Sequence, residues 1–187
     1  NLQTIMNRNV NVTENAAVVT IGAINGGNRS NIIPEQVEML GTVRTLSESD
    51  EELIFKRIRE IVINTAEANG AQAVVELPYS SHYPVTFNDI ELTKNMVPSL
   101  QKAAGNDHVN LIPAETGAED FSFFANEVPG FYFYVGALPK GQDPKTSASH
   151  HTPDFFLDES GFIVGVKAML NLVSDYMEAS SATYSKK

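Results

Sequence analysis

The sequence contains no cysteine. That removes disulfides, thiolate nucleophiles and cysteine-ligated zinc from the available chemistry, although it does not by itself fix a compartment. Basic residues are also scarce: 13 Lys and Arg stand against 23 Asp and Glu, a formal net charge of −10. Binding to nucleic acid depends on clustered Lys and Arg, so a polyanion is not an expected partner. No apolar run approaches the roughly 20 residues that span a bilayer, and no charged-then-apolar signal segment opens the chain. A membrane is therefore not expected as a partner, and the chain reads as soluble, with the cytoplasm slightly favoured and the compartment otherwise open. Three catalytic signatures are missing as well. There is no GxSxG, no glycine-rich phosphate loop with its lysine, and no HExxH.

The 187 residues are 42% apolar, enough to bury a core in one large domain or two small ones. Leu2, Ile5 and Met6 fall at helical spacing with no cap before them, as in the tail of a helix, so the chain is expected to be a fragment or the product of a cut. The run from Ala16 to Ile24, closed by Asn25-Gly26-Gly27-Asn28, predicts a strand and turn. From Gln36 an alternation sets Val37, Met39, Gly41 and Val43 on one face and Arg44 on the other, which predicts a half-buried strand. Ser49 and Glu52 have capping-box spacing ahead of an apolar stripe through Ile54, Ile58, Ile61 and Val62, and Asn69-Gly70 closes that helix. Ala71 to Leu77 predicts a further strand, completing a small sheet with helices on one face.

Around Tyr83 to Asp89 the chain changes character, and a domain boundary is placed there. Leu92, Met96 and Leu100 then predict a helix ending near Gly105. Short strands are expected at His108 to Ile112 and Phe131 to Val135, with one or two helical turns over Glu119 to Asn126 between them. A long loop from Pro139 to His150 leads to a last amphipathic helix through Phe162, Val166, Met169 and Met177, and a disordered tail is expected from 179 to 187.

Four features could carry chemistry, and each has an ordinary alternative. His150 and His151 sit in a polar loop before Pro153, and imidazole is both the commonest transition-metal ligand and a near-neutral acid or base. One imidazole cannot hold a catalytic zinc, and an exposed or hydrogen-bonded histidine is the plain alternative. The turn Thr116-Gly117-Ala118-Glu119-Asp120 could line a pocket with backbone N–H groups, or its acids could simply cap the helix that follows. Asn31, leading into an Ile32–Ile33 pair expected to be buried, could bond only its own backbone. Arg44 could bind a substrate carboxylate through its fork or remain a solvated strand arginine.

Taken in order, Asn31-Ile32-Ile33-Pro34, Gly41-Thr42-Val43-Arg44, Thr116-Gly117-Ala118-Glu119-Asp120-Phe121 and His151-Thr152-Pro153 with Asp158-Glu159 resemble the zinc-dependent aminoacylase and carboxypeptidase family of metallopeptidases. Within it the amidohydrolases of N-acyl amino acids, such as hippurate and auxin-conjugate hydrolases, are the branch resembled. The resemblance implies an α/β fold: an α+β lid over residues 1–86, lacking its beginning, and the C-terminal part of a larger α/β catalytic domain over 87–178. It implies His151 as a metal ligand, and Asn31, Arg44, Gly117, Ala118 and Glu119 as substrate-binding residues. Two divalent metal ions, zinc foremost, would serve the complete enzyme, in which metal-activated water cleaves the amide of an N-acyl amino acid or peptide. The remaining ligands and the glutamate general base would lie in an N-terminal half outside this sequence, so no catalytic residue is expected in this chain. A homodimer through the lid is implied too. The alternative is a non-catalytic dimerisation module, inactive as the isolated chain, with an apolar face left exposed and sticky where strands are missing.

Overall fold

In a computed structural model the described residues are 1–184. They fall into two compact units, one of Asn1–Thr86 with Pro113–Phe123 and the other of Phe87–Ile112 with the chain from Phe124 on.

In the first unit, helix α1 (Thr4–Arg8) precedes strands β1 (Ala17–Asn25) and β2 (Glu38–Thr45), and helix α2 (Glu48–Ala68) follows them. The strands pair antiparallel, with Val19 opposite Val43 and Val18 opposite Arg44. Because successive side chains alternate, Val19 and Val43 face α2 while Val18 and Arg44 face away. Ile5, Val10, Val19, Ile54 and Ile58 form the core, and Val43, Ile61, Val62, Val75 and Leu77 pack around it. Ladder partners change phase between Ile21 and Ala23, a bulge at Gly22. Beside it Gly41 is required by close approach: a Cβ there would stand 2.4 Å from the Thr20 carbonyl oxygen.

Several expected details differ. The α2 cap is Ser47, whose hydroxyl accepts from the Asp50 N–H at 3.2 Å. Ser49 instead shares a hydroxyl–hydroxyl bond of 2.9 Å with Ser47, so the helix starts two residues earlier than the Ser49–Glu52 spacing suggests. Asn69 and Gly70, the latter at φ +72°, do close it. The alternation on β2 buries little, since Val37 and Met39 are exposed and only Val43 and Thr45 are partly covered. One helix shields only the end of the strand nearest to it. The Ala71 to Leu77 segment forms no strand. Val75 and Leu77 reach the core, but the Leu77 carbonyl accepts from Arg59 Nη2 at 2.7 Å, and among the described residues the only ladder is the β1–β2 pair.

The second unit is built on α3 (Ile90–Ala104) and α5 (Phe162–Tyr184). Asp89 caps α3 through the Leu92 N–H at 2.7 Å, and Gly105 ends it at φ +92°. Met96, Ser99, Leu100 and Ala168 are buried. Ser99 Oγ donates to the Asp175 carboxylate at 2.5 Å, Lys102 Nζ donates to both oxygens of that carboxylate, and Asn171 donates to the Ser99 carbonyl at 3.2 Å. Lys102 first, then Ser99, hold the Asp175 carboxyl below the usual carboxylate range.

Neither expected strand of this unit forms among the described residues. Residues 106–108 make a 3-10 turn instead. At Phe131 to Val135 the Tyr132 N–H and C=O are both taken by the Asn88 side-chain amide, at 2.7 and 2.8 Å, and no partner strand lies alongside. The expected disordered tail is also corrected in part. α5 continues to Tyr184, because no glycine or proline interrupts Met177 to Tyr184, and residues 185–187 lie outside the described residues. Much of α5 is uncovered: Phe162, Val166, Met169, Leu170, Val173 and Met177 are each more than half exposed.

Candidate functional site

Arg44 stands near the end of β2 on the face turned from α2, a placement set by the alternation that buries Val43. Its Nη1 donates to the Thr116 carbonyl oxygen at 3.1 Å. Two of the expected substrate-binding features, 72 residues apart in sequence, therefore meet within the first unit. The turn is anchored on its other side by the short helix α4 (Phe121–Glu127), where the Glu119 carboxylate accepts from the Phe121 N–H at 3.1 Å. The fully buried Ser122 hydroxyl donates to the Glu119 carbonyl at 2.6 Å. Gly117 and Ala118 lie exposed between these anchors, and nothing stands within 4 Å of where a Gly117 Cβ would be. The result is a rigidly based turn with open backbone beside an arginine fork.

Asn31 also belongs to the first unit, in the loop between β1 and β2. It is exposed and is not one of the partners in the Arg44–Thr116 contact. The Ile32–Ile33 pair that follows is not buried as expected: the two are 61% and 93% exposed. The loop reaches beyond the surface that α2 covers, so β-branched residues there have nothing to pack against.

His151 lies in the second unit, exposed, with φ +66°, unusual for a side chain bearing a Cβ. The loop around it is shaped locally. Thr152 Oγ1 donates to the Ser149 carbonyl at 2.6 Å, and the His150 ring sits edge-on to His151 and tilted against Phe155, both at 5.8 Å between centroids. Just downstream Asp158 accepts from the Ser160 N–H at 2.9 Å. The Ser160 side chain first, and then that N–H, hold the Asp158 carboxyl low. No three His, Asp or Glu side chains converge to hold a metal among the described residues. His151 alone does not make a metal site, which needs about three protein ligands.

The profile of Peptidase family M20/M25/M40 matches residues 6–175. The chain belongs to that family. Curated relatives include an N-acetyldiaminopimelate deacetylase of Lacticaseibacillus paracasei, 32% identical over 176 residues, which are 94% of this chain and 44% of the relative. Among solved structures, a candidate aminohydrolase from methicillin-resistant Staphylococcus aureus superposes with a TM-score of 0.77 at 29% identity, over 94% of this chain and 43% of that one. A Bacillus subtilis protein described as a dinuclear metal binding peptidase of the M20 family superposes with a TM-score of 0.63 at 29% identity, over 83% of this chain and 41% of its own. The chain thus spans less than half the length of the relatives it matches. Family membership and fold agree with the resemblance in the motifs. Among the described residues no helix is long and apolar enough to cross a membrane.

The meeting of Arg44 with Thr116 was not legible in the sequence. Each residue sits in a recognisable motif, but no periodicity links positions so far apart.

Proposed function

We propose that this chain is part of a metal-dependent amidohydrolase that cleaves the amide bond of N-acyl amino acids or peptides. The family match over residues 6–175 carries the reading. The Arg44 fork beside the Thr116–Glu119 turn supports its substrate half, because a guanidinium with N–H groups to spare suits a carboxylate, and exposed backbone at Gly117 and Ala118 suits an acyl-amide. In this reading residues 1–86 are the lid and 87–178 belong to the catalytic domain. Asn31, Arg44, Gly117, Ala118 and Glu119 contact the substrate. His151 is one ligand of a pair of divalent ions, zinc foremost, whose other ligands and whose general base lie outside the described residues. The cytoplasm remains the favoured compartment.

This chain's own contribution is then recognition and positioning. Arg44 takes the carboxylate, the turn packs along the amide, and the backbone at His151 presets one ring. A first test is the metal content per chain of purified protein after dialysis against metal-free buffer, followed by hydrolysis of a panel of N-acyl amino acids by the full-length protein. About two ions per full-length chain and turnover of the panel are expected. Folded protein that holds no metal and cleaves nothing would refute the reading.

One observation favours a second reading for the chain taken alone, since no metal-holding cluster forms among its described residues. In that reading it is a self-association module. The two-stranded sheet leaves an unpaired edge on each strand, a template for joining a second copy. A concentration-independent monomer in sedimentation would exclude this dimer.

A further inference from the structure

Resting on the reading of Arg44 as the carboxylate holder, we propose that Arg44 is also the positioning residue of the Thr116–Glu119 turn, so that recognising the carboxylate and ordering the pocket wall are one event. The turn is held unequally. On its C-terminal side Glu119 and the buried Ser122 tie it into α4 through three bonds: Phe121 N–H to the Glu119 carboxylate, and Ser122 Oγ and N–H to the Glu119 carbonyl. On its N-terminal side the recorded bond is the one from Arg44 Nη1 to the Thr116 carbonyl at 3.1 Å. Between them Gly117 has nothing within 4 Å of where a Cβ would stand, and Ala118 is exposed.

Arginine can fill both roles because of its shape. The guanidinium carries five N–H donors in one rigid plane, and one of them serves Thr116. The others can meet a carboxylate at the same time, and a bound carboxylate in turn holds the plane in the orientation that grips Thr116. A lysine offers a point charge on a flexible stem, so it attracts the anion without a fixed fork to share between the two partners. A substrate without a carboxylate would meet a looser turn. The selectivity for carboxylate-bearing substrates then appears in turnover as well as in binding.

The experiment has two parts. In the 187-residue chain, backbone order parameters are measured for Gly117 and Ala118 in wild type, Arg44→Ala and Arg44→Lys. Without ligand, wild-type values are expected to exceed those of both variants, which fall below about 0.6, and on adding N-benzoylglycine only the wild type is expected to reach the rigid level of about 0.85, with α2 amides unchanged. Equal values in wild type and Arg44→Ala would overturn the positioning role. In the full-length protein, N-benzoylglycine is the substrate. Arg44→Ala is expected to raise KM at least about ten-fold and to lower kcat. Arg44→Lys is expected to recover part of KM but not kcat, because the charge returns without the grip on Thr116. Recovery of both by lysine would reduce Arg44 to a plain anion holder and overturn the coupling. Absence of any turnover by the wild type would count against the amidohydrolase reading alone, and the order parameters would still decide the positioning role.

Discussion

Replacing Ile54 by alanine probes whether α2 sits on the sheet as described. Ile54 is fully buried and belongs to the cluster of Ile5, Val10, Val19 and Ile58. The change removes three side-chain carbons, a transfer loss of roughly 2.4 kcal/mol at about 0.8 kcal/mol per carbon. The residual cavity adds to this, placing the cost at about 3–4 kcal/mol, inside the roughly 2–5 kcal/mol found for such truncations. The first unit comprises residues 1–86 and 113–123. For a domain near that size each kcal/mol lowers Tm by about 4–8 °C, so a fall of roughly 12–24 °C follows from 3 kcal/mol. Urea unfolding followed by far-ultraviolet circular dichroism gives the same quantity, provided the slope m is unchanged. Ile33→Ala is the control. At 93% exposure it has little burial to lose, and a change within about 0.5 kcal/mol is expected. If the two variants cost the same, α2 does not close over Val19 and Val43, and the outward placement of Arg44 loses its basis.

Further outcomes follow from other parts of the structure. Gly41→Ala sets a Cβ 2.4 Å from the Thr20 carbonyl and should loosen the β1–β2 ladder at a cost of about 1–3 kcal/mol, whereas Gly22→Ala, with nothing within 4 Å, should not; amide exchange along both strands checks this. At His151, with φ +66°, glycine should be more stable than alanine by about 1 kcal/mol, since only alanine bears the Cβ that left-handed backbone disfavours; equal melting of the two variants would contradict that conformation. The Asp175 carboxyl is held low in the folded state by Lys102 and Ser99, so its contribution is complete above the ordinary carboxylate value of 3.8 and is lost as pH falls through the lower folded value. Acid titration of helix content should show that limb in wild type and a flatter one in Asp175→Asn. For metal, His151→Ala in the full-length protein is expected to reduce bound metal with folding retained, and an unchanged metal content would refute the ligand role.

Local rules accounted for most of the helices. Periodic apolar residues and their punctuation, Asn69-Gly70 after α2 and Gly105 after α3, place those elements because helix hydrogen bonds close within a few residues. The first strand pair was legible for a similar reason, since β1 and β2 are neighbours in sequence with glycines between them. Segments Ala71 to Leu77 and Phe131 to Val135 have strand composition but are not strands. A strand exists only where another backbone lies beside it, and composition carries no information about that partner. Side chains meet part of their backbone instead, Arg59 at the Leu77 carbonyl and Asn88 at the Tyr132 N–H and C=O.

The candidate site divides in the same way. The sequence determined which residue types are available: a histidine pair with no cysteine, an arginine on an alternating strand, and a small-residue turn ahead of two carboxylates. Through the order of its motifs it also determined the family, because those motifs can be read one at a time. Only the tertiary structure decided that Arg44 donates to Thr116 across 72 residues, that Ile32 and Ile33 stand in solvent, and that among the described residues no three His, Asp or Glu side chains gather at His151. The physical reason is the range of the interactions. Helix periodicity, capping and turns are set by neighbours a few residues away, whereas a bond between β2 and the Thr116 turn depends on where the whole core places two surfaces.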